Sequence, residues 1–269
     1  MSPSTPAVRI TSIPASLLRF PPDPLPTTLP PPSDHPALAH PLAIPMDLHN
    51  ALLSPTAPVT VALVYTTTVT YLNRYNASRG HKPWSCSKAK LFYWFVILHN
   101  TLLALYSAWT CIGMINAVRI SFPGWRGPNG LAGAIDSLCK IHGPRGLGSA
   151  ATFSPDDRVW SIGNKSFHLG PDGLSPDATD VGRIWNEGLA FYGWLFYVSK
   201  FYEVLDSFIV LAKGKESQLL QTYHHAGAMI CMWAGIRYMA PPIWIFVLVN
   251  SGIHALMVGF SVFTVIWLI

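Results

Sequence analysis

Hydrophobic residues in this chain come in long, nearly unbroken runs separated by polar connectors. They do not follow the three-to-four-residue rhythm of a half-buried helix or the alternation of a half-buried strand. Runs of such length read as helices that cross a bilayer. Five can be drawn: about 58–72 (short and threonine-rich), 91–118, 185–212, 217–236 and 243–269, with Pro241-Pro242 breaking the last two apart. The expected fold is an all-α polytopic membrane protein, a helical bundle with about five spans. Two stretches fall outside this pattern. Residues 1–56 carry PPDPLP at 21–26 and LPPP at 29–32, and read as a disordered, proline-rich N-terminal tail that cannot be helical. No apolar segment follows the start, so the tail does not read as a signal peptide. Residues 119–183 form a long Gly/Pro/Asp-rich loop within the membrane domain, 57–269.

Charge orients this picture. Half of the 269 residues are hydrophobic, 12% are charged, and the net charge is +5. Lys and Arg cluster beside the apolar runs, which argues for membrane orientation and against a nucleic-acid surface. The connector after the first run holds Arg74, Arg79, Lys82, Lys88 and Lys90 with no acid among them, and so belongs in the cytosol. The N-terminus and the 119–183 loop are then lumenal and the C-terminus cytosolic. Asn164-Lys-Ser166 is a glycosylation sequon on the lumenal side; Asn76-Ala-Ser78 is one on the cytosolic side, where it is unused. Cys86, Cys111, Cys139 and Cys231 are scattered, with neither disulfide nor zinc spacing.

The candidate chemistry lies inside the runs. Lys200, Glu203 and Asp206 interrupt the third run and fall within roughly a 120° arc of one helix face. Ionisable groups at membrane depth are costly and mark polar interiors with work to do. Gln221, His224 and His225 share about a 100° arc of the next helix. The short basic turn of Lys213 and Lys215 makes these two helices antiparallel neighbours, so their polar faces can meet. Asn250 and His254 lie one turn apart in the fifth run, and His99-Asn100 sits in the second.

Several readings fit these residues. The cluster of Lys200, Glu203 and Asp206 can be an ion cluster that only fixes packing, or part of the ligand or proton path of a receptor, channel or transporter. Gln221-x-x-His224-His225 matches one box of the di-iron desaturases, but such centres need on the order of eight histidines. Here His35, His40 and His49 lie in the tail and His142 and His168 in the loop. A haem between His99 and His254 is conceivable. A metal-free site needs fewer assumptions: neutral imidazole attacks thioesters near neutral pH, a second imidazole moves protons, and a carboxylate steadies the imidazolium.

Taken in order, the motifs resemble one family. KxxExxD at Lys200-Phe-Tyr-Glu203-Val-Leu-Asp206-Ser207, then Gln221-Thr-Tyr-His224-His225, then Asn250-Ser-Gly-Ile-His254-Ala-Leu-Met257, are similar to the signature of the ELO family of fatty-acid elongases, with His99-Asn100 as a weaker element. The resemblance covers about 57–262. It implies a seven-span 3-ketoacyl-CoA synthase of the endoplasmic reticulum that joins acyl-CoA to malonyl-CoA with loss of CO2 and CoA. No metal or other cofactor is implied; the implied partners are the two CoA substrates, the bilayer and the other enzymes of the elongation cycle. By resemblance His224 and His254 are the acyl-accepting candidates, with His225 orienting or exchanging protons. Asn250 and Gln221 would bond the thioester or enolate oxygen, Glu203 and Asp206 would hold the histidines, and Lys200 would set the local potential. Lys213, Lys215, His99 and Asn100 are the candidate substrate-binding residues, the two lysines standing where a phosphate-bearing carrier approaches. Three departures are visible. Gln221 replaces the first histidine of HxxHH, Ser207 replaces threonine, and Val-Gly-Phe-Ser-Val-Phe follows Met257 where tyrosines are the pattern. The chain ends at Ile269, before the family's last two spans, which gives the expectation of a truncated or degenerate relative.

Overall fold

The computed structural model describes residues 28–31, 38–127, 129–142, 148–149, 151–161, 169, 173–174 and 182–267, with side chains described to Met257. The fold is a helical bundle built around one interrupted helix. Helix α1 (Met46–Leu52) bends by 54° into α2 (Thr56–Ser78). A short 3-10 turn leads to α3 (Lys90–Ser121), and α4 (Gly130–Cys139) follows. A two-stranded antiparallel hairpin, β1 (Thr152–Ser154) and β2 (Val159–Ser161), pairs Phe153 with Trp160. Next comes a π-helical segment (Trp185–Gly193), continued by α5 (Trp194–Glu203) and α6 (Leu205–Ala212). Two more helices complete the order: α7 (Leu219–Arg237) and α8 (Ile243–Trp267). Each of the five apolar runs is thus helical. The first extends past its expected end through Arg74 to Ser78, because the chain first leaves helical backbone at Gly80 and His81, with φ of 66° and 58°.

α3 lies along α8, α2 along α7 and α6, and α5 along α7. The interrupted helix has two local causes. Gly188 takes φ 153°, open to glycine but not to most side chains, and widens the turn where a Cβ would press on Ala117 at 3.1 Å. At Val204 the Ser207 amide donates to the Val204 carbonyl at 3.2 Å, a tighter three-residue bond that re-aims the helix between Glu203 and Asp206.

The bundle has an apolar core and also carries apolar side chains on its outside. Leu98, Leu102, Leu105 and Ile112 on α3, and Ile245 and Ile253 on α8, point outward, while Lys200 and Glu203 are buried within. A charged cluster enclosed beneath an apolar exterior is the arrangement a lipid solvent selects. By length and composition, α3 among the described residues suffices alone to span a bilayer, and α1 with α2 suffices as one bent pair.

The expected disordered tail is a correction over 28–31 and 38–56. This segment forms α1 and straps one end of the bundle. Trp185 Nε1 donates to the Leu29 carbonyl (2.9 Å), Tyr192 Oη to Leu38 (2.8 Å), Tyr197 Oη to Leu52 (2.7 Å) and Trp233 Nε1 to Leu53 (2.8 Å). His49, buried, stacks on Trp194 with ring centroids 5.6 Å apart. The strap is recognised through its main chain, so proline content, the ground for the disorder reading, does not report it. The loop 119–183 likewise contains α4 and the hairpin. Arg183 holds α4 by an ion pair to Asp136 at 2.7 Å.

Candidate active site

The polar residues of the interrupted helix reach three neighbouring helices. Lys200 Nζ donates to Glu203 Oε1 (2.7 Å), Glu203 Oε2 (2.9 Å) and Asn250 Oδ1 of α8 (3.2 Å), and sits 3.8 Å from the centre of the Phe196 ring. An ammonium has three donors, and here each has an acceptor. Ser199 Oγ adds a fourth bond, to Glu203 Oε1 at 3.0 Å. Lys200 and Glu203 are 1% and 3% exposed, so their charges are compensated inside the bundle and nowhere else.

Three residues on, Asp206 Oδ1 accepts from His99 Nε2 of α3 at 2.8 Å. The other ring nitrogen, Nδ1, lies 2.9 Å from Tyr202 Oη. An ionised carboxylate only accepts, so Nε2 carries a proton toward Asp206, and in the neutral ring Tyr202 donates to Nδ1. His99 is 1% exposed and packs against Phe95 and Tyr202. Both of its nitrogens are committed, to Asp206 and to Tyr202. Ser207, also buried, bonds Tyr65 of α2 at 2.7 Å, and the Tyr65 ring meets His225 edge-on at 6.2 Å.

The α7 residues divide by helical angle. His225 and Thr222 are buried, His224 and Tyr223 are exposed, and Gln221 is half-buried. His254, half-buried on α8, lies one turn beyond Asn250. At about 1.5 Å per residue, His224 sits about 20 Å along α7 from its Arg237 end and His254 about 17 Å along α8 from Ile243. The two histidines are therefore at closely matched depth. Among the described residues, none of Gln221, His224, His225 and His254 makes a side-chain hydrogen bond, and no three His, Cys, Asp or Glu side chains converge to hold a metal ion.

Not every predicted residue joins this cluster. Lys213 and Lys215 are exposed on the turn after α6. That turn is clamped to the end of α2: Asn73 and Ser217 exchange bonds of 2.9 and 3.0 Å, and Asn76 Nδ2 donates to the Leu211 carbonyl at 2.8 Å while Asn76 Oδ1 accepts from Trp84 Nε1 at 2.7 Å. Asn76 is fully buried in these bonds, so its sequon has a structural use. Asn164 and His168 lie outside the described residues. Asn100 is half-buried beside His99, and no partner of its side chain is seen among the described residues. The expectation that Glu203 holds a catalytic histidine is corrected: Lys200 and Ser199 hold its oxygens, and Asp206 holds His99. The sequence reading missed Tyr202, Tyr65 and Ser199. Tyr202 stands four residues before Asp206 and Ser199 four before Glu203, so same-face spacing on the helix is the signal that finds them.

A helical membrane bundle with a buried ion cluster that ties α5 to α8 defines the class. The sequence pattern of the GNS1/SUR4 (ELO) family matches residues 50–266, and the chain belongs to that family. It is similar to fatty acid elongase 2 of Trypanosoma brucei brucei, 28% identical over 40% of this chain and 40% of that one. It also resembles human very long chain fatty acid elongase 3, 27% identical over 37% of this chain and 36% of the relative, and Leishmania major fatty acid elongase 6, 36% identical over 28% and 20%. The matched parts thus span two fifths or less of these relatives. No solved structure matches the chain.

Proposed function

We propose that this chain is the condensing enzyme of fatty acid elongation, joining a long-chain acyl-CoA to malonyl-CoA in the membrane of the endoplasmic reticulum, with its N-terminus lumenal. One observation carries the reading: Lys200 bonds Asn250, linking the KxxExxD helix to the NxxxH helix, while His224 and His254 sit at matched depth with both rings free of hydrogen bonds to the described residues. Committed residues build the frame, His254 lies half-buried one turn beyond Asn250, and His224 lies exposed beside the buried His225.

In this reading an imidazole nitrogen of His224 or His254 attacks the thioester carbonyl. The C–S bond breaks, and CoA leaves as a thiolate that takes the proton shed by the acylated ring. Malonyl-CoA then loses CO2. The electron pair of that bond becomes an enolate, whose carbon attacks the acyl carbonyl. The C–N bond breaks, the leaving imidazolide takes up a proton from water by way of His225, and a 3-ketoacyl-CoA is released. His225, buried against Tyr65, orients its neighbours and passes protons. Asn250 and Gln221 have amide N–H groups suited to a developing oxyanion. Glu203 and Asp206 hold the polar frame, Glu203 through Lys200 and Asp206 through His99. Lys213 and Lys215, exposed beyond the cluster, suit the phosphates of CoA. The other enzymes of the cycle act on the product.

Membranes containing the chain, given acyl-CoAs and carboxyl-labelled malonyl-CoA, should release labelled CO2 only when acyl-CoA is present. His224→Ala and His254→Ala should each abolish the release while leaving the protein level unchanged. Wild-type release from either variant removes that residue from the mechanism.

A further inference from the structure

Helix α4 belongs to the segment between α3 and the interrupted helix that reads as a polar loop, yet its outer face is apolar. Its sequence, GLAGAIDSLC, holds one charged residue, Asp136. At about 100° per residue, Gly133, Ala134 and Ser137 share one face, and all three are buried. Leu131, Ile135 and Cys139 recur every four residues on the opposite face, and all three are exposed. A helix face turned to water carries polar side chains, and this one carries none. The single charge of the helix is already compensated: Asp136 Oδ2 accepts from Arg183 Nη1 at 2.7 Å and from the Gly148 amide at 2.9 Å. Gly148 lies against Ser137, on the buried side of α4, and so leaves the Leu131–Ile135–Cys139 stripe open.

Depth names the partner of that stripe. α4 is fixed at the end of the bundle where α3 stops and α8 starts. Trp244, the second residue of α8, donates from Nε1 to the Leu138 carbonyl at 3.0 Å, and the Trp185 amide donates to the Ile141 carbonyl at 2.9 Å. These bonds hold α4 level with the edge of the apolar layer. Near the same end, Ile112 and Ile115 of α3 and Ile245 of α8 point outward, so the stripe continues an apolar exterior. Exposed Trp125 and Arg126 precede α4, an aromatic ring and a cation of the kind found at the headgroup level. We propose that α4 is an interfacial helix: its Leu131–Ile135–Cys139 face lies in the acyl-chain boundary of the leaflet at this end, and Trp125 and Arg126 meet the lipid headgroups. The proposal does not depend on the reaction assigned above.

The full chain carrying Cys86→Ser, Cys111→Ala and Cys231→Ser keeps Cys139 as its one thiol. It would be spin-labelled there and reconstituted into dioleoyl phosphatidylcholine vesicles. Power-saturation EPR would compare collisions with oxygen, which concentrates among acyl chains, and with a water-soluble nickel chelate present on both sides of the bilayer. With Cys139→Ser added, the same measurement would be made at Ile135→Cys and, as an aqueous reference, at Asp156→Cys in the exposed turn of the hairpin. The oxygen-to-nickel ratio at 135 and 139 should exceed that at 156 by at least threefold. If these variants do not fold, the unaltered chain would be irradiated in vesicles containing a phosphatidylcholine with a diazirine on its acyl chain, and adducts should map to Leu131, Ile135 or Cys139. Nickel access at 135 and 139 equal to that at 156 places the face in water. Low access to both reagents places it against another protein, such as a second copy of this chain. Either result, or photoadducts on α3 and α8 with none on α4, overturns the proposal.

Discussion

The helix from Trp185 to Ala212 is packed in two different ways along its length. Its first half, up to Tyr197, is buried among Phe191, Phe196, Met229, Met232 and Ile236, and its polar tips reach outward to the main chain of the strap. Its second half, from Lys200, buries charge and reaches inward to side chains of α2, α3 and α8. The first half is held by many apolar contacts of similar worth, so losing one donor leaves the rest in place. The second half depends on a few bonds that compensate one another, so removing one exposes a neighbour's uncompensated charge. The reactive candidates, His224 and His254, belong to neither group of contacts. Stability and chemistry are therefore expected to separate by residue.

Four single variants and one double variant test this contrast, from the largest expected effect on stability to the smallest. Lys200→Met leaves Glu203 charged and buried without its partner and should cost about 3–5 kcal/mol, read as a loss of folded protein in a detergent unfolding series. The double variant Lys200→Met, Glu203→Leu should recover much of that loss; no recovery would show that the pair matters for something other than mutual compensation. Asn76→Ala removes the clamp on Leu211 and Trp84 and leaves buried partners unpaired, at about 1–3 kcal/mol for each unsatisfied group. Protease cleavage in the 213–218 turn should rise accordingly. Gly113→Ala places a methyl into the ring of Tyr192, an overpacking worth about 1–3 kcal/mol, with protection from hydrogen exchange falling around Tyr192. His224→Ala, on an exposed position, should shift stability by about 0.5 kcal/mol or less while abolishing condensation. An unfolding midpoint shifted as far as in Lys200→Met would place His224 among the structural residues.

The strap gives the complementary test. Tyr197→Phe and Trp233→Phe each keep a ring and remove one bond to a carbonyl of the strap, and each should cost about 0.5–1.5 kcal/mol. Earlier cleavage between residues 28 and 56 than in the bundle would be the sign that the strap detaches first.

Much of the site was legible because periodicity carries it. Lys200, Glu203 and Asp206 share a face by spacing alone, and Asn250 with His254 likewise, so a polar interior followed from helical geometry. Spacing within one helix cannot name partners on another. Nothing local told that Asp206 would take His99 while Glu203 took Lys200, or that Tyr65 would reach Ser207. The break at Val204, which separates those two carboxylates, has no proline or glycine to announce it. Proline content misled for the tail, because the strap is held through carbonyl groups that every residue has.

By itself, the chain's order of apolar runs and interrupting charges determined a helical membrane bundle and the faces on which its chemistry must lie, because a lipid solvent leaves a polar residue few places to go. Only the tertiary structure decided which polar groups are spent on one another and which remain unpaired, because hydrogen bonds between helices depend on depth, rotation and a half-turn break that no single segment encodes.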